Sequence, residues 1–250
     1  MRATFPSEWL AVVVRNVPYY RILPAEEQAE LRGLTHVFLA EKRFEGLGGL
    51  RITDEIRLTI AAQACVLLLK RPTDFYPLLV SILVYPGAYL APMRRRKPGG
   101  IVSEGMEVLS GQTWDKGSLV LSWDDVLRGA RNMRDGRNVV FHEFAHQLDE
   151  ETGAADGAPV LPDASMYEAW TQVFSREYET LIRNIERDRP ILIDSYAATS
   201  PAEFFAVATE FFFERPRQLK RHHAELYELL KIFYQQDPAS LVSAARGPVT

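Results

Sequence analysis

Residues 139–149 read VVFHEFAHQLD, and their apolar positions recur at the spacing of an amphipathic helix. Four of them form a stripe that we expect to bury against the core: Phe141, Phe144, Ala145 and Leu148. The pattern continues on both sides and predicts one helix over about residues 136–152, because Gly153 is a typical residue just beyond a helix end. Two histidines lie on the face next to the stripe, so we expect them to border the interior.

These two histidines, His142 and His146, are four positions apart, and Glu143 follows the first of them. On a helix this spacing places both imidazoles on one face, about 6 Å apart along the axis, so both can point a ring nitrogen at one ion. Glu143 is rotated by about 100° from His142, which suits a base beside the ion better than a third ligand. The segment therefore predicts a hydrolytic zinc site. The alternative, two core histidines satisfied by hydrogen bonds, stays open at this point.

A catalytic zinc usually has three protein ligands and an open position, so a further donor must come from elsewhere. The apolar residues 200–214 include two acids seven positions apart, Glu203 and Glu210. These acids share a helix face but are about 10.5 Å apart along the axis, so only one can bind the ion directly. Ser200, Pro201 and Glu203 also fit a capping box, in which the glutamate would only satisfy a backbone amide. The residues alone leave both roles of Glu203 open.

The rest of the sequence predicts helices towards both ends of the chain and a small sheet between them. Helices are expected over about residues 24–42, 53–70, 165–187, 201–214 and 224–235. Runs of β-branched and apolar residues predict strands at 78–85, 100–103 and 118–123. The Gly-rich residues 44–49 are interpreted as a connection, and the basic run 94–97 as a solvated turn.

Composition excludes several classes of protein. With 47% hydrophobic and 25% charged residues among 250, the chain is typical of a globular protein with a sizeable core. A net charge of −4 with interspersed acids and bases offers no broad basic surface, so we expect no direct binding of nucleic acid. The longest apolar runs are too short to cross a membrane, and the first residues do not resemble a signal peptide. Cys65 is the only cysteine, so no disulfide can form within the chain, which favours a cytoplasmic location. Cys65 itself is expected to be buried in an apolar segment.

Two segments of the chain resemble the MtfA (Mlc titration factor A) family of bacterial zinc peptidases, which is of the gluzincin type. The segments are residues 139–149 and residues 194–207, the latter reading DSYAATSPAEFFAV. The resemblance extends to residues 83–87 and to the N-terminal helices, so it covers most of the chain. The two segments are specific in combination, and their site positions show no departure from the family pattern.

The resemblance implies a role for each site residue. His142, His146 and Glu203 would be the ligands of one Zn²⁺ per chain. Glu143 would be the catalytic base that activates the zinc-bound water. Tyr196, seven residues before Glu203, would assist catalysis, and its hydroxyl could donate a hydrogen bond to the developing oxyanion.

Two further acids are candidates to support the metal ligands. Asp149 lies one turn beyond His146, and Glu210 lies two turns beyond Glu203. Either could hold an imidazole or a neighbouring donor in place. A solvated helix face or a charge at a helix end is the alternative for both.

Together, these features predict a zinc-dependent metallopeptidase that hydrolyses peptide bonds, and the resemblance implies aminopeptidase activity. The substrate would be a peptide or protein, which we expect to pair with the strand at residues 118–122, the last before the metal-bearing helix. The alternative, also implied by the resemblance, is a regulatory binding protein. Such a protein would sequester a transcriptional repressor of the Mlc type, and its peptidase activity would be secondary.

The expected fold is α+β and zincin-like, mostly helical with a small mixed sheet. We expect residues 1–250 to form one compact catalytic unit. Within it, about residues 1–75 would form an N-terminal helical portion and residues 76–250 a zincin-like catalytic portion.

Overall fold

The structure is a computed structural model that describes residues 5–87 and 117–244, together with the backbone of residues 89–96, 102–109 and 111–115. Helices dominate the described residues. They are α1 (Ser7–Asn16), α2 (Ala25–Glu41), α3 (Asp54–Val66), α4 (Trp123–Arg131), α5 (Val139–Glu150), α6 (Met166–Glu186), α7 (Pro201–Glu214), α8 (Pro216–His222), α9 (Ala224–Tyr234) and α10 (Pro238–Ala244). Short 3₁₀ helices span Pro18–Ile22 and Ser195–Ala198. The mostly helical architecture expected from the sequence is confirmed.

Six strands are described: β1 (Arg43–Gly46), β2 (Ser81–Tyr85), β3 (Tyr89–Arg96), β4 (Val102–Leu109), β5 (Gly111–Asp115) and β6 (Ser118–Ser122). Four of them form a sheet in the order β1-β2-β6-β5. The first three run parallel, and β5 is antiparallel to β6, so the sheet is mixed as predicted. Strands β3 and β4 form a separate two-stranded antiparallel sheet.

Two loop predictions are wrong. Residues 43–46, taken largely as part of a Gly-rich connection, form edge strand β1, because the Arg43 amide donates to Val80 O and the strand then pairs in register with β2. The pairing partner is about 40 residues away, so no local pattern could reveal it. Residues 94–96 of the basic run belong to β3 and not to a turn, whereas Lys97 lies outside the described residues. Gly100 and Ile101 of the predicted strand also lie outside them, and Val102 begins β4.

The core joins the N-terminal helices to α5. The apolar stripe of α5 is buried as predicted, with Phe144 and Ala145 at 0% exposure. Phe144 contacts Phe38 of α2 and Tyr76, whose ring centroids lie 5.8 and 4.8 Å from its own. Cys65 of α3 is buried as expected. In this way α2 and α3 support the helix that carries the two histidines.

No helix within the described residues combines the length and apolar character needed to cross a bilayer.

Candidate metal centre and active site

The side chain of Asn138 caps the start of helix α5, where the first backbone amides have no carbonyl partner within the helix. Its Oδ1 accepts hydrogen bonds from the amides of Val140 and Phe141, both at 3.1 Å, which is the usual role of an N-cap residue. Three residues earlier than the first helical residue, Gly136 has φ of +81°, and a Cβ there would lie 2.7 Å from the Phe211 ring. The helix therefore begins at Val139 and not near residue 136.

Helix α7 begins at Pro201, and the Ser200 hydroxyl caps it by accepting from the Glu203 amide at 3.2 Å. Only this half of the predicted capping box forms. The Glu203 side chain turns towards α5, where its Oε2 lies 3.0 Å from His142 Nε2 and 3.4 Å from His146 Nε2. Packing between α5 and α7 thus turns the Glu203 side chain away from the cap and towards the two histidines.

Three side chains from these two helices converge on one point. The Nε2 atoms of His142 and His146 are 3.2 Å apart, and the donor atoms of the two histidines and Glu203 all lie within 4.8 Å of one another. Four ligands placed tetrahedrally at about 2.0–2.1 Å from a zinc ion would lie about 3.3 Å from one another. The observed separations match that spacing, so these three residues could hold a metal ion.

The hydrogen bonding of this cluster also fits a cation. Oε2 of Glu203 is buried and has no hydrogen-bond donor of good geometry, although it lies close to both imidazoles. A buried carboxylate oxygen without a donor is costly unless a cation compensates it. The donor set of two imidazoles and one carboxylate is one that zinc accepts in catalytic sites. The residues therefore fit the ion that the sequence predicts.

Glu210 lies directly behind His142. Its Oε1 is 2.8 Å from His142 Nδ1, and its Oε2 accepts a hydrogen bond from the Asn138 amide. A proton on Nδ1 donated to this carboxylate leaves the lone pair on Nε2 directed at the cluster. Glu210 therefore fixes the orientation of the ring, as one of the two sequence interpretations proposed.

The carboxylates of Glu203 and Glu210 flank the His142 ring and favour a positive charge there. Burial alone would lower the pKa of His142, but the close carboxylates of Glu203 and Glu210 outweigh it and raise the pKa well above the usual value. Burial would raise the pKa of Glu203, yet the contacts with the two histidines lower it to about 2. Glu203 is thus ionised at neutral pH, as a metal-binding carboxylate must be.

Glu143 is buried beside the cluster, at 7% exposure. Burial raises its pKa, and the nearby His142 and His146 offset only part of that effect. A carboxyl group whose pKa is shifted towards neutrality is better suited to exchange protons than an exposed one. Glu143 also lines a cavity of about 460 Å³ that reaches His142.

Tyr196 stands at the rim of this cavity, on the 3₁₀ helix Ser195–Ala198. Its ring centroid is 6.0 Å from that of His142, and its side chain is 54% exposed. Tyr196 is therefore not part of the buried core. Asp194 caps the 3₁₀ helix by accepting from the Tyr196 amide at 3.0 Å and pairs with Arg137 at 2.6 Å, which ties the rim to the start of α5.

Asp149 makes no hydrogen bond to His142 or His146 between the described residues. Its Oδ2 instead accepts from the Gly157 amide at 2.8 Å, and burial raises its pKa to about 6. The carbonyl oxygen of Gly157 in turn accepts a hydrogen bond from the indole N–H of Trp170 at 3.0 Å. Asp149 therefore holds the loop after α5 in place, which is neither the predicted support of a metal ligand nor the alternative of a solvated helix face, since Asp149 is 0% exposed.

Three supporting residues were not singled out from the sequence. Asn138 and Arg137 do not belong to a recognisable motif, and Glu214 cannot be distinguished by sequence from an ordinary acidic residue at a helix end. Glu214 Oε2 accepts from the amides of Gly136 and Arg137, at 3.0 and 2.9 Å. One signal could have found it: Glu203, Glu210 and Glu214 recur along an otherwise apolar helix, where each buried carboxylate needs a partner.

The predicted substrate-pairing strand is wrong. Strand β6 (residues 118–122) lies between β2 and β5, so its backbone is paired on both sides. A peptide cannot add to an interior strand, because the hydrogen-bonding groups are already used. Within the described residues, the outer edge on this side of the sheet belongs to β5.

The sequence is similar to several bacterial proteins over most of its length. It is 40% identical to the uncharacterized protein slr2042 of Synechocystis sp. over 234 residues. This aligned region covers 93% of this chain and 85% of the relative. It is 33% identical over 235 residues to Mlc titration factor A of Pectobacterium atrosepticum, covering 93% and 87%. The Mlc titration factor A of Salmonella agona is 32% identical over 242 residues, covering 92% and 88%.

A family model agrees with these relatives and with the geometry of the cluster. The model of the glucose-regulated metallo-peptidase M90 family matches residues 1–235, a span that contains both helices of the candidate metal centre. The resemblance to Mlc titration factor A proteins drawn from residues 139–149 and 194–207 is thereby confirmed. The chain belongs to the glucose-regulated metallo-peptidase M90 family.

Proposed function

We propose that this protein is a zinc-dependent peptidase whose metal ligands are His142, His146 and Glu203. The observation that carries the proposal is the convergence of two Nε2 atoms and one carboxylate oxygen at tetrahedral spacing. Membership in a metallo-peptidase family supports a protease. Zinc at such a position would polarise the scissile carbonyl and lower the pKa of a water molecule that it binds.

Glu143 would act as the general base and then as the general acid. Its carboxylate would accept a proton from the attacking water and deliver that proton to the leaving amine. Burial, which raises its pKa, supports both halves of this role because the proton must be held and then released. Glu210 would keep the His142 ring in the tautomer that presents Nε2.

Tyr196 would stabilise the oxyanion that develops on the substrate carbonyl. Its exposure, and its place in the lining of the same cavity as His142 and Glu143, support this role because a substrate carbonyl beside the metal could reach the hydroxyl. The pair formed by Arg137 and Asp194 would hold the 3₁₀ helix that carries the tyrosine. We extend the proposal to aminopeptidase activity and to a zincin-like fold, as the sequence resemblance implies.

The contacts between the N-terminal helices and α5 support a single catalytic unit. Gln63 of α3 accepts a hydrogen bond from Asn138, the residue that caps the metal-bearing helix. Phe38 of α2 packs on Phe144 in the same helix. The cytoplasmic location expected from the sequence stays a prediction.

Metal content and cleavage, measured on the same sample, test the peptidase proposal. Protein purified without chelators should contain about one zinc per chain and should cleave peptides with a free N-terminus, but not their N-acetylated counterparts. Chelation should remove both zinc and activity, and zinc should restore activity. Cleavage of both kinds of peptide would retain the peptidase but reject the aminopeptidase. A fully zinc-loaded protein that cleaves no peptide would contradict the peptidase proposal.

A second candidate function is repressor sequestration. The name of the Mlc titration factor A relatives attributes titration of Mlc to those proteins, and they align with most of this chain. Under this proposal the protein would bind a transcriptional repressor of that type, and peptide hydrolysis would be secondary.

The variant Glu143→Gln separates the two candidates. It should lose peptide cleavage and retain zinc, because glutamine keeps the size of the side chain but cannot accept the proton. Repressor binding, measured with the purified proteins, should be equal for wild type and variant. Absence of any complex with wild-type protein would reject sequestration without affecting the peptidase proposal.

A further inference from the structure

A second cavity lies on the other side of the loop that precedes α5. It has a volume of about 750 Å³ and is bounded by the end of α4, the following loop, and the junction of α7 with α8. Four arginines line it: Arg131, Arg134, Arg215 and Arg217. Its apolar lining includes Ile22, Met133 and Phe213. The site around His142 does not share a lining residue with it.

These arginines are not neutralised by acids in the described part of the chain. Arg131 and Arg134 make no ion pair or side-chain hydrogen bond with a described residue. Arg215 donates to Gln218, and Arg217 donates to the Ser243 hydroxyl, and both of these partners are uncharged. Four guanidinium groups thus share one concavity without a carboxylate partner.

Some arginines outside the cavity do have acidic partners. Six of them pair with a carboxylate within 3.5 Å: Arg15, Arg57, Arg128, Arg137, Arg176 and Arg183. The chain as a whole is acidic, with a net charge of −4. The four arginines of the cavity have no such partner among the described residues, and they lie together in one concavity of an acidic protein.

The acid in the lining, Glu214, does not offset this charge. Its Oε2 is occupied by the amides of Gly136 and Arg137, and its Oε1 is buried without a partner. Burial, with repulsion from Asp135 and Glu210, raises the pKa of Glu214 to about 9, so the group is neutral at neutral pH. The positive charge of the cavity is left uncompensated.

The basic surface continues past this cavity. Arg217 also lines a neighbouring concavity with Lys220 and Arg221. Lys220 has acids nearby, but Glu228 and Asp237 are 3.9 and 4.0 Å away, at the limit of an ion pair. Lys220 and Arg221 therefore extend the positive charge beyond the four arginines.

We propose that this cavity binds a small organic polyanion whose phosphate or carboxylate groups contact the four arginines. The guanidinium fork matches both groups and can bind either with two parallel hydrogen bonds. The volume is within the range of about 300–1,000 Å³ that is usual for small-molecule sites. The apolar lining provides a surface for a short carbon skeleton between the charged groups. A cation at the end of α4 is also favoured by the helix dipole, but that accounts for Arg131 alone.

Isothermal titration calorimetry on the full chain, at constant ionic strength, tests the proposal. The probes are glycerol 2-phosphate, which carries a phosphate, and tricarballylate, which carries three carboxylates. The cavity variant is the double substitution Arg134→Gln and Arg217→Gln. The matched control, Arg183→Gln with Arg187→Gln, removes the same charge from exposed positions on or next to α6, away from the cavity.

Saturable binding of at least one probe to wild type and control is expected, with a loss of about tenfold or more in the cavity variant. The probe with the higher affinity identifies the preferred group. Arg134→Lys should bind more weakly than wild type, because the charge remains but the fork is lost. The proposal is overturned if neither probe saturates on wild type, if the cavity variant binds as wild type does, or if the control loses affinity equally.

Discussion

The two ends of α7 carry the same residue type in opposite surroundings. Near its start, Glu203 meets two imidazole nitrogens and has an oxygen without a hydrogen-bond donor. Towards its end, Glu210 and Glu214 meet backbone amides of residues 136–138, which donate to both of them. The first end is arranged for a cation, whereas the second end holds a loop.

The difference shows that the role of a buried carboxylate depends on the atoms opposite it. Amide hydrogens satisfy the carboxyl oxygen that they meet, so no ion is needed at that oxygen. Ring nitrogens that present lone pairs cannot donate to a carboxylate oxygen, so a cation or a proton must lie between the nitrogens and that oxygen. Glu210 is intermediate, because it takes an amide with one oxygen and orients His142 with the other.

The largest difference is expected between variants that each remove one carboxylate of α7: Glu203, the proposed metal ligand, or Glu210, which orients the ligand His142. Glu203→Ala should abolish stoichiometric zinc and all cleavage, because one of three ligands is lost. Glu210→Ala should reduce zinc affinity by only about 10–100-fold, as is usual for a residue behind a ligand. Zinc content after dialysis against a graded chelator series measures both. A larger loss in Glu210→Ala than in Glu203→Ala would reverse the assignment of the ligand.

Loss of the base should affect catalysis without affecting the metal. Glu143→Gln should reduce kcat by about 10²–10⁴-fold, since proton transfer to the side chain is lost. Zinc content should stay equal to that of wild type. Glu150→Gln, the same change at the end of α5, should retain wild-type kcat. A variant at position 143 that cleaves normally would show that another group takes the proton.

The rim of the cavity should contribute to the transition state and not to binding of the metal. Tyr196→Phe should reduce kcat by up to about 10²–10³-fold with little change in KM or zinc content, because the hydroxyl is expected to contact only the developing oxyanion. Tyr178→Phe is the matched control, since the Tyr178 hydroxyl donates to Ala198 O in the same 3₁₀ segment. Equal losses in both variants would indicate that the segment was disturbed and that the hydroxyl has no direct role.

The smallest effect is expected from Glu214, in the pH dependence of stability. Its pKa is raised from 4.5 to about 9 by burial, so the folded state holds a proton that the unfolded state releases between these pH values. Wild-type stability should therefore fall as pH rises through this window. Glu214→Gln removes the effect, so its Tm relative to wild type should increase between pH 5 and pH 8, by about 2–4 °C for each 1 kcal/mol. A difference in Tm that is independent of pH would contradict this reasoning.

Local sequence patterns were sufficient to predict the buried face of α5 and the bounds of α7. The buried stripe of α5 follows from helical spacing, and α7 has the predicted bounds because Pro201 and the Ser200 cap are local signals. The two histidines share a face for the same reason. Strand β1 could not be predicted in this way, because residues 43–46 become a strand only when β2 pairs with them.

The sequence by itself determined which groups are available: two imidazoles one helical turn apart, an adjacent carboxylate, and a row of glutamates on an apolar helix. Only the tertiary structure decided what each glutamate meets. Contact between α5 and α7 brings Glu203 to the two Nε2 atoms and sends Glu214 to a loop, across more than 50 residues of intervening chain. Spacing along one helix fixes which side chains share a face, whereas the atoms that face them depend on how separate helices pack.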